Sequence, residues 1–225
     1  INALKMLAEE SSCTIITTFD GLMNPMPMPE KFIQEVKKVS VGDILNLEEL
    51  TKHLVELGYE KNYQAETMGE FSVRGGILDI FPLTEDNPFR IEFWGDEVDS
   101  IRSFDAESQR SIENLEEISI YPACELVLTA EERQEGIKRI LKEADKVSAK
   151  LRKEMKTEEA HRTKSAAAQI AEEAGELGIS AGLDAYLSYF CEERVSLLDY
   201  FNRENTVIFV DELARSIERG MVTET

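Results

Sequence analysis

The chain has few of the residues that usually build metal centres, disulfide frameworks or membrane spans. Its three cysteines, Cys13, Cys124 and Cys191, are odd in number, far apart and never in a CxxC pair, which argues against disulfide bonding and a zinc site. Its two histidines, His53 and His161, lack metal-ligand spacing and are interpreted as surface residues. No apolar run reaches the roughly 20 residues that a membrane helix needs. These shortages favour a protein of the reducing cytoplasm and predict no metal site.

Nucleotide-binding loops are also missing. Neither GxxxxGK[ST] nor GxGxxG occurs, so no glycine-rich loop can hold phosphates with backbone N–H groups, and no GxSxG motif presents a nucleophilic serine. The apolar residues 207–210, followed by Asp211 and Glu212, are similar to a Walker B segment, in which a strand presents carboxylates to magnesium. The alternative is that both carboxylates cap the positive end of a following helix. We assign no catalytic residue and expect no cofactor in this chain.

Acidic residues greatly outnumber basic ones. The chain has 45 Asp and Glu against 25 Lys and Arg, which gives a formal net charge of -20. Proteins gain affinity for nucleic acids when Lys and Arg displace counterions from phosphates, so this balance predicts weak binding to DNA. Any local group of arginines is conspicuous against such a surface.

Residues 1–36 are predicted to be the trailing piece of a larger domain and a linker. A short helix precedes a β-branched strand at residues 14–18, and the prolines of MNPMPMPEKF (residues 23–32) are expected to prevent regular structure. One strand and one helix cannot close a core. The chain opens at Ile1 with neither a basic start nor an apolar segment, so we expect no signal peptide and a piece of a longer polypeptide.

Residues 37–127 have the pattern of a compact α+β module. A helix at residues 47–57 precedes short alternating strands, and the pair Gly75-Gly76 and the TEDNP stretch supply turns. The predicted strands are GEFSVR, GILDIFP, FRIEFWG, VDSIRSF and ISIYP.

Residues 128–225 are predicted to be helical with one further strand. Thr129 and Glu132 have capping-box spacing and open a long helix, and a break near residues 156–164 separates it from a second. The apolar stripe of the first helix is expected to contain Ile137, Ile140, Leu141, Ala144, Val147, Leu151 and Met155. A small helix at residues 186–190, a buried strand at residues 206–210 and a final helix begun by Asp211 and Glu212 complete the predicted order.

Strand alternation isolates three side chains in the central module. In FRIEFWG, a period of two puts Phe89, Ile91 and Phe93 on the core face. Arg90 and the chain's only tryptophan, Trp94, then lie on the opposite face, and the same period in FSVRGG places Arg74 outward. Arg and Trp dominate the energetics of protein interfaces, so the three residues predict a binding face. The alternative is that Trp94 packs under a loop while the arginines pair with surface carboxylates.

The module also has a recognisable signature. The segment MGEFSVRGGILDIFPLTEDNPFRIEFWGDEVDSIRSFDAESQRS resembles domain 2 of the excision-repair protein UvrB and the N-terminal region of transcription-repair coupling factors. The preceding SVGDILNLEELTKHLVELGYEKN and the later GISAGLDAYLSYF and SLLDYF match in the same order, so the resemblance covers nearly the whole chain. It implies an α/β (α+β) fold, in which a UvrB domain 2-like α+β module is inserted into a degenerate RecA-like and helical domain.

Between the two relatives, the chain looks more like a coupling factor. UvrB has a DESH Walker B sequence, whereas this chain has DELA at residues 211–214. The resemblance implies that Asp211 and Glu212 are a degenerate Walker B-like pair in a region that has lost nucleotide binding. It also implies a longer parent protein, in which a separate motor uses ATP and magnesium to translocate DNA and push RNA polymerase.

The resemblance further implies a protein partner. In coupling factors, the residues that match Arg74, Arg90 and Trp94 contact UvrA. The family aromatic can be Phe, so Trp94 departs in size but keeps an apolar anchor. These are the same three residues that strand alternation isolates.

Three functions are consistent with the sequence. The first is a non-catalytic region that recruits UvrA to RNA polymerase stalled at DNA lesions in transcription-coupled nucleotide excision repair. The second is a fragment of a UvrB-like, ATP-dependent damage-recognition enzyme, which requires a Walker A motif upstream. The third is an autoinhibitory module that masks its UvrA-binding face against another part of the parent protein.

Overall fold

The computed structural model describes residues 1–9, 11–176, 186–191, 193–212 and 215. The helices found there are α1 (Asn2–Ala8), α2 (Phe19–Met23), α3 (Pro29–Gln34), α4 (Leu47–Glu56), α5 (Ala130–Lys153), α6 (Thr157–Glu176) and α7 (Leu187–Phe190), with a 3-10 helix at Leu197–Tyr200. The strands are β1 (Lys37–Ser40), β2 (Glu60–Lys61), β3 (Glu70–Arg74), β4 (Ile77–Ile80), β5 (Phe89–Trp94), β6 (Glu97–Phe104), β7 (Ser111–Leu115) and β8 (Glu117–Ile120). The predicted α+β fold is confirmed.

Six strands form one sheet in the order β2-β3-β4-β5-β6-β7. Its neighbouring strands are antiparallel except β2 and β3, which are parallel. Four of the predicted strands are the adjacent β3 to β6, and the fifth, ISIYP, is β8, which pairs with β1 in a separate two-stranded sheet. The sequence did not predict β1, β2 and β7, because these strands are short or polar on both faces and carry no apolar alternation.

One face of the large sheet packs against α4. Asn46 begins this helix, since its side-chain oxygen accepts hydrogen bonds from the backbone N–H groups of Glu48 and Glu49. The helix buries Leu50 and Leu54 in the same core as the sheet. The sheet contributes Phe71, Leu78, Ile80, Phe89, Ile91, Val98 and Ile101 to that core. Because side chains alternate along a strand, the residues between these lie on the opposite face, away from α4.

Two predicted strands are wrong. Residues 14–18 and 206–210 have irregular backbone and join no sheet within the described chain. Ile16, Val207 and Phe209 are largely exposed. Their β-branched and aromatic composition favours strands, but a strand becomes stable only when it pairs and packs. Neither segment finds a partner edge among the described residues.

The proline-rich segment is packed, contrary to the predicted linker. Pro29 is the first residue of α3, where its fixed φ suits the helix and its missing N–H is not needed. Phe32 follows in the same helix and is buried with Met26 and Tyr121. Met26 also exchanges two backbone hydrogen bonds with Val195. This segment therefore belongs to a small core.

Two long helices follow, as predicted. Thr129 Oγ1 accepts from the N–H of Glu132, and the Glu132 carboxylate accepts from the N–H of Thr129, which confirms the capping box at the start of α5. The break lies earlier than predicted, between α5 and α6, where Met155 has a φ of 63°, and residues 157–164 are helical in α6. The predicted small helix is confirmed as α7. The predicted final helix does not begin at Asp211 and Glu212, which are not helical, and its remaining residues lie outside the described part of the chain except for Arg215.

The apolar stripe predicted for α5 is wrong in part. The buried positions of α5 are Gly136, Ile140, Ala144 and Ser148. Leu141, Val147 and Met155 are exposed instead. α6 buries Ala160, Ala167 and Ala174. Small side chains on both helices allow their backbones to approach closely, so helix contact and not residue hydrophobicity decides which side of α5 is buried. No helix in the described ranges is long and apolar enough to cross a lipid bilayer.

Candidate partner-binding face

The candidate site lies on the face of the large sheet that points away from α4. Arg74 ends β3, Arg90 lies within β5 and Trp94 ends β5, and none of the three belongs to the apolar core. Two further residues on this side, Asp79 and Gln109, bind the arginines. We refer to these five residues as the arginine face.

Asp79 is the centre of the arginine face. It alternates with the core residues Leu78 and Ile80 of β4, and its register partner on β5 is Arg90. Its side chain is only 2% exposed and accepts three hydrogen bonds: from Arg74 Nη2 at 3.1 Å, and from Arg90 Nε at 2.6 Å and Nη2 at 2.8 Å. A buried carboxylate is stable only when cations and donors compensate its lost hydration. The two arginines provide that compensation.

Arg90 is held on several sides at once. In addition to its two bonds to Asp79, its Nη2 donates to Gln109 Oε1 at 3.0 Å, and its guanidinium carbon lies 4.4 Å from the centre of the Phe104 ring. Its hydrogen bonds to Asp79 raise the pKa of the Arg90 guanidinium, against the opposing effect of burial. The side chain is only 16% exposed. Arg90 is therefore a fixed cation within the sheet and not a mobile surface group.

Gln109 is fixed by the loop after β6. Its backbone φ is 58°, in the left-handed region, and its Nε2 donates to the carbonyl of Ala106 at 2.8 Å. Asp105 stabilises the same loop because its Oδ1 accepts from both the N–H and the hydroxyl of Ser108. The loop therefore presents the Gln109 carbonyl oxygen to Arg90 in a set orientation.

Arg74 and Trp94 are the open part of the face. Arg74 is 42% exposed and Trp94 is 82% exposed. Each precedes a tight turn, with Gly75 at φ 62° and Gly95 at φ 65°. The two hairpins touch, since the N–H of Phe93 donates to the Gly76 carbonyl at 2.8 Å. Arg74 and Trp94 lie on β3 and β5, which are separated only by β4. Because neighbouring strands are about 4.8 Å apart, the two residues lie near each other at the same end of the sheet.

The strand alternation left two interpretations open: a binding face, or a tryptophan packed under a loop with arginines paired to surface carboxylates. The structure agrees with neither interpretation completely. Trp94 does not pack under a loop. The arginines do pair with a carboxylate, but it is the buried Asp79 and not a surface group. Phe93, assigned to the core, packs against it only half buried.

A second ion pair extends the same face. Arg102 on β6 is the register partner of Arg90, and it pairs with Glu92 of β5. The Glu92 carboxylate also accepts from Ser100 Oγ at 3.3 Å. These two groups of ion pairs join three arginines to two carboxylates, in a chain whose net charge is strongly negative.

The Walker B-like residues are not part of this face. Asp211 and Glu212 are exposed, Glu212 has a φ of 48°, and its carboxylate pairs with Arg215 at 3.0 Å. The apolar residues before them form no strand and are exposed. The described chain thus lacks the buried strand that aims carboxylates at magnesium in a Walker B motif.

The sequence of residues 38–126 matches the family model of the UvrB interaction domain. This part of the chain is similar to that domain. The arginine face lies wholly within it. The resemblance recognised from the sequence signature is therefore confirmed.

Relatives extend the similarity beyond the UvrB interaction domain. The chain is 36% identical over 215 residues to the transcription-repair-coupling factor of Bacillus subtilis, which covers 96% of this chain and 18% of that protein. It is 32% identical over 217 residues to UvrABC system protein B of Thermosipho africanus, which covers 94% of this chain and 32% of that protein. The same protein of Fervidobacterium nodosum is 38% identical over 180 residues, 78% of this chain and 27% of the relative. The chain thus spans about a third or less of the length of these relatives.

Proposed function

We propose that this chain is a non-catalytic, protein-binding region of a transcription-repair coupling factor, which recruits UvrA to RNA polymerase stalled at DNA lesions. The observation that carries the proposal is the pairing of an exposed tryptophan with an anchored arginine cluster inside a UvrB interaction domain. Aromatic and arginine side chains supply most binding energy at protein interfaces, because both bury large areas and form directional contacts.

Two features of the face support a protein partner. The tryptophan is exposed at the end of a paired strand, so its backbone is already ordered before a partner covers it. Arg74 is partly exposed and already oriented by Asp79, so it is ready to meet a carboxylate. RNA polymerase and DNA, in this proposal, are bound by other parts of the parent protein, whose separate motor uses ATP and magnesium.

The decisive experiment is calorimetric titration of purified UvrA with the wild-type chain and with Trp94→Ala and Arg74→Ala. Each change is expected to weaken binding by about tenfold or more, because hot-spot aromatics and arginines typically carry that much of an interface. Tyr63→Ala is the matched control, since Tyr63 is also exposed (84%) but lies outside the arginine face.

The titration distinguishes an error in the assigned binding face from an error in the proposed function. Wild-type binding that survives both changes means that UvrA binds elsewhere on the chain. Absence of wild-type binding means that the chain does not recruit UvrA.

A UvrB-like damage-recognition enzyme is the second candidate, and the 32% identity to UvrABC system protein B over 94% of the chain favours it. It requires nucleotide chemistry, whereas the chain contains no phosphate-binding loop. We expect no ATP turnover above buffer. Turnover that Asp211→Ala abolishes supports the enzyme instead.

A further inference from the structure

We propose that Asp79 is the positioning residue of the arginine face, and that it divides the two arginines into a contact residue, Arg74, and a brace, Arg90. The inference rests on the proposed function and goes beyond it, because strand alternation and family resemblance treat the two arginines alike. It also gives the partner's chemistry: a carboxylate for Arg74 beside an apolar recess for Trp94.

The hydrogen bonds separate the two arginines. Arg90 donates from Nε and Nη2 to both Asp79 oxygens, donates again to Gln109, and lies over the Phe104 ring. Its donors are largely used and its side chain is mostly buried. A partner can reach little of it.

Arg74 is the opposite case. Its hydrogen bond within the described chain runs from Nη2 to Asp79 Oδ2, at 3.1 Å. A guanidinium has five N–H donors in a rigid fork, so most of the Arg74 donors remain available to a partner. With the side chain 42% exposed, a partner carboxylate can accept two parallel hydrogen bonds from it.

Asp79 makes this division hold. Its two oxygens are shared between two guanidinium groups, so the carboxylate offsets the repulsion between the cations and ties the flexible Arg74 to the fixed Arg90. Without that charge, Arg74 loses its anchor and must be ordered again when the partner binds. The cost appears as weaker affinity.

The test is a double-mutant cycle in the full chain, measured by calorimetric titration with purified UvrA. Arg74→Ala and Asp79→Asn are each expected to weaken binding by about tenfold, and the double variant by about the same factor as Arg74→Ala alone, because Asp79 acts through Arg74. Ser72→Ala is the matched control: Ser72 is buried and is the register partner of Asp79, and its hydroxyl has no hydrogen-bond partner within the described chain. It is expected to bind as wild type.

A second variant keeps the test decisive if Asp79→Asn does not fold. Arg74→Lys keeps the charge at a partly exposed position but removes the planar fork, and we expect it to weaken binding by at least about fivefold.

The outcomes are distinct. Wild-type affinity in Asp79→Asn overturns the positioning role of Asp79, and wild-type affinity in Arg74→Lys overturns the contact role of Arg74; in both cases the proposed function stands. Factors that multiply in the double variant also overturn the positioning role, because Asp79 then acts independently of Arg74. If wild-type chain does not bind UvrA, the proposed function fails and this inference fails with it.

Discussion

At the residue scale, one buried carboxylate, Asp79, holds two arginines that differ in exposure. Arg90 and Arg74 both donate to Asp79, yet the first is mostly buried and the second is partly exposed. Removing a partner from a buried ion pair leaves an uncompensated charge, whereas exposed pairs contribute little to stability. We therefore expect stability to depend mainly on Arg90 and partner binding mainly on Arg74.

Arg90→Ala is expected to lower the free energy of unfolding by about 3 kcal/mol, because Asp79 loses two of its three hydrogen bonds while still buried. Arg74→Ala is expected to cost less than about 1 kcal/mol. Urea unfolding of both variants measures the difference, with the exposed Arg110→Ala as control. Equal losses for Arg90→Ala and Arg74→Ala contradict the division of roles.

Part of this face could be predicted from the sequence. Period-two alternation placed Arg74, Arg90 and Trp94 opposite the core because each lies in a strand with clear apolar neighbours. Asp79 was missed, although a lone charge in the apolar strand GILDIFP is a signal that a cation lies beside it. Gln109 could not be found, because its contact depends on the left-handed loop after β6 and not on a periodic pattern.

At the scale of elements, prediction succeeded where local chemistry is sufficient. The capping box of Thr129 and Glu132, the helix predicted at residues 47–57 and the alternation of β3 to β6 all depend on residues that are close together in the chain. The wrong strands, at residues 14–18 and 206–210, find no partner edge among the described residues. β2 and β7 are too short or too polar to show apolar alternation, and β1 pairs with β8, which is distant in the chain. Pairing between distant strands produces no pattern in the local sequence from which it could be predicted.

Gly136 tests the close packing of the helices. A Cβ built on Gly136 in α5 lies 2.0 Å from Cδ1 of Phe190 in α7, so Gly136→Ala must displace one of them. Overpacking costs about 1–3 kcal/mol, which outweighs the gain of about 1 kcal/mol that alanine brings to a helix. The expected net effect, measured by thermal unfolding, is a lower melting temperature.

Gly175→Ala is the control for this prediction. Gly175 lies in α6, where an added Cβ meets nothing within 4 Å. Only helix propensity then acts, so the melting temperature is expected to stay unchanged or rise. A stabilised Gly136→Ala variant would show that α7 does not pack against α5 as described.

At the scale of the whole molecule, a few polar contacts join segments far apart in the chain. Lys5 of α1 pairs with Glu85 at 2.8 Å, and Lys31 of α3 pairs with Glu132 of α5 at 2.7 Å. The Tyr121 hydroxyl donates to Glu9 at 2.8 Å. Each contact involves one residue from the first part of the sequence, so this part is held against both the sheet and the helices.

The Lys31–Glu132 contact predicts how this arrangement responds to acid. Burial alone raises the pKa of Glu132, but hydrogen bonds from Lys31 and from the Thr129 N–H outweigh it and lower the pKa below its usual 4.5. A carboxyl whose pKa is lowered by folding stabilises the folded state fully above its unfolded pKa, and this contribution is lost as pH falls through the folded value. Wild type is therefore expected to lose stability below about pH 4.5 in part through Glu132.

Glu132→Gln isolates that part. The variant cannot ionise, so it is expected to be less stable than wild type at pH 7, and the gap between the two is expected to narrow as pH falls from about 5 to about 3. Urea unfolding at several pH values measures the gap. Glu131→Gln, one residue earlier on the exposed side of α5, is the matched control and is expected to follow wild type throughout. A gap that stays constant with pH would mean that Glu132 stabilises α5 without its charge, and that the contact with Lys31 does not couple the two segments.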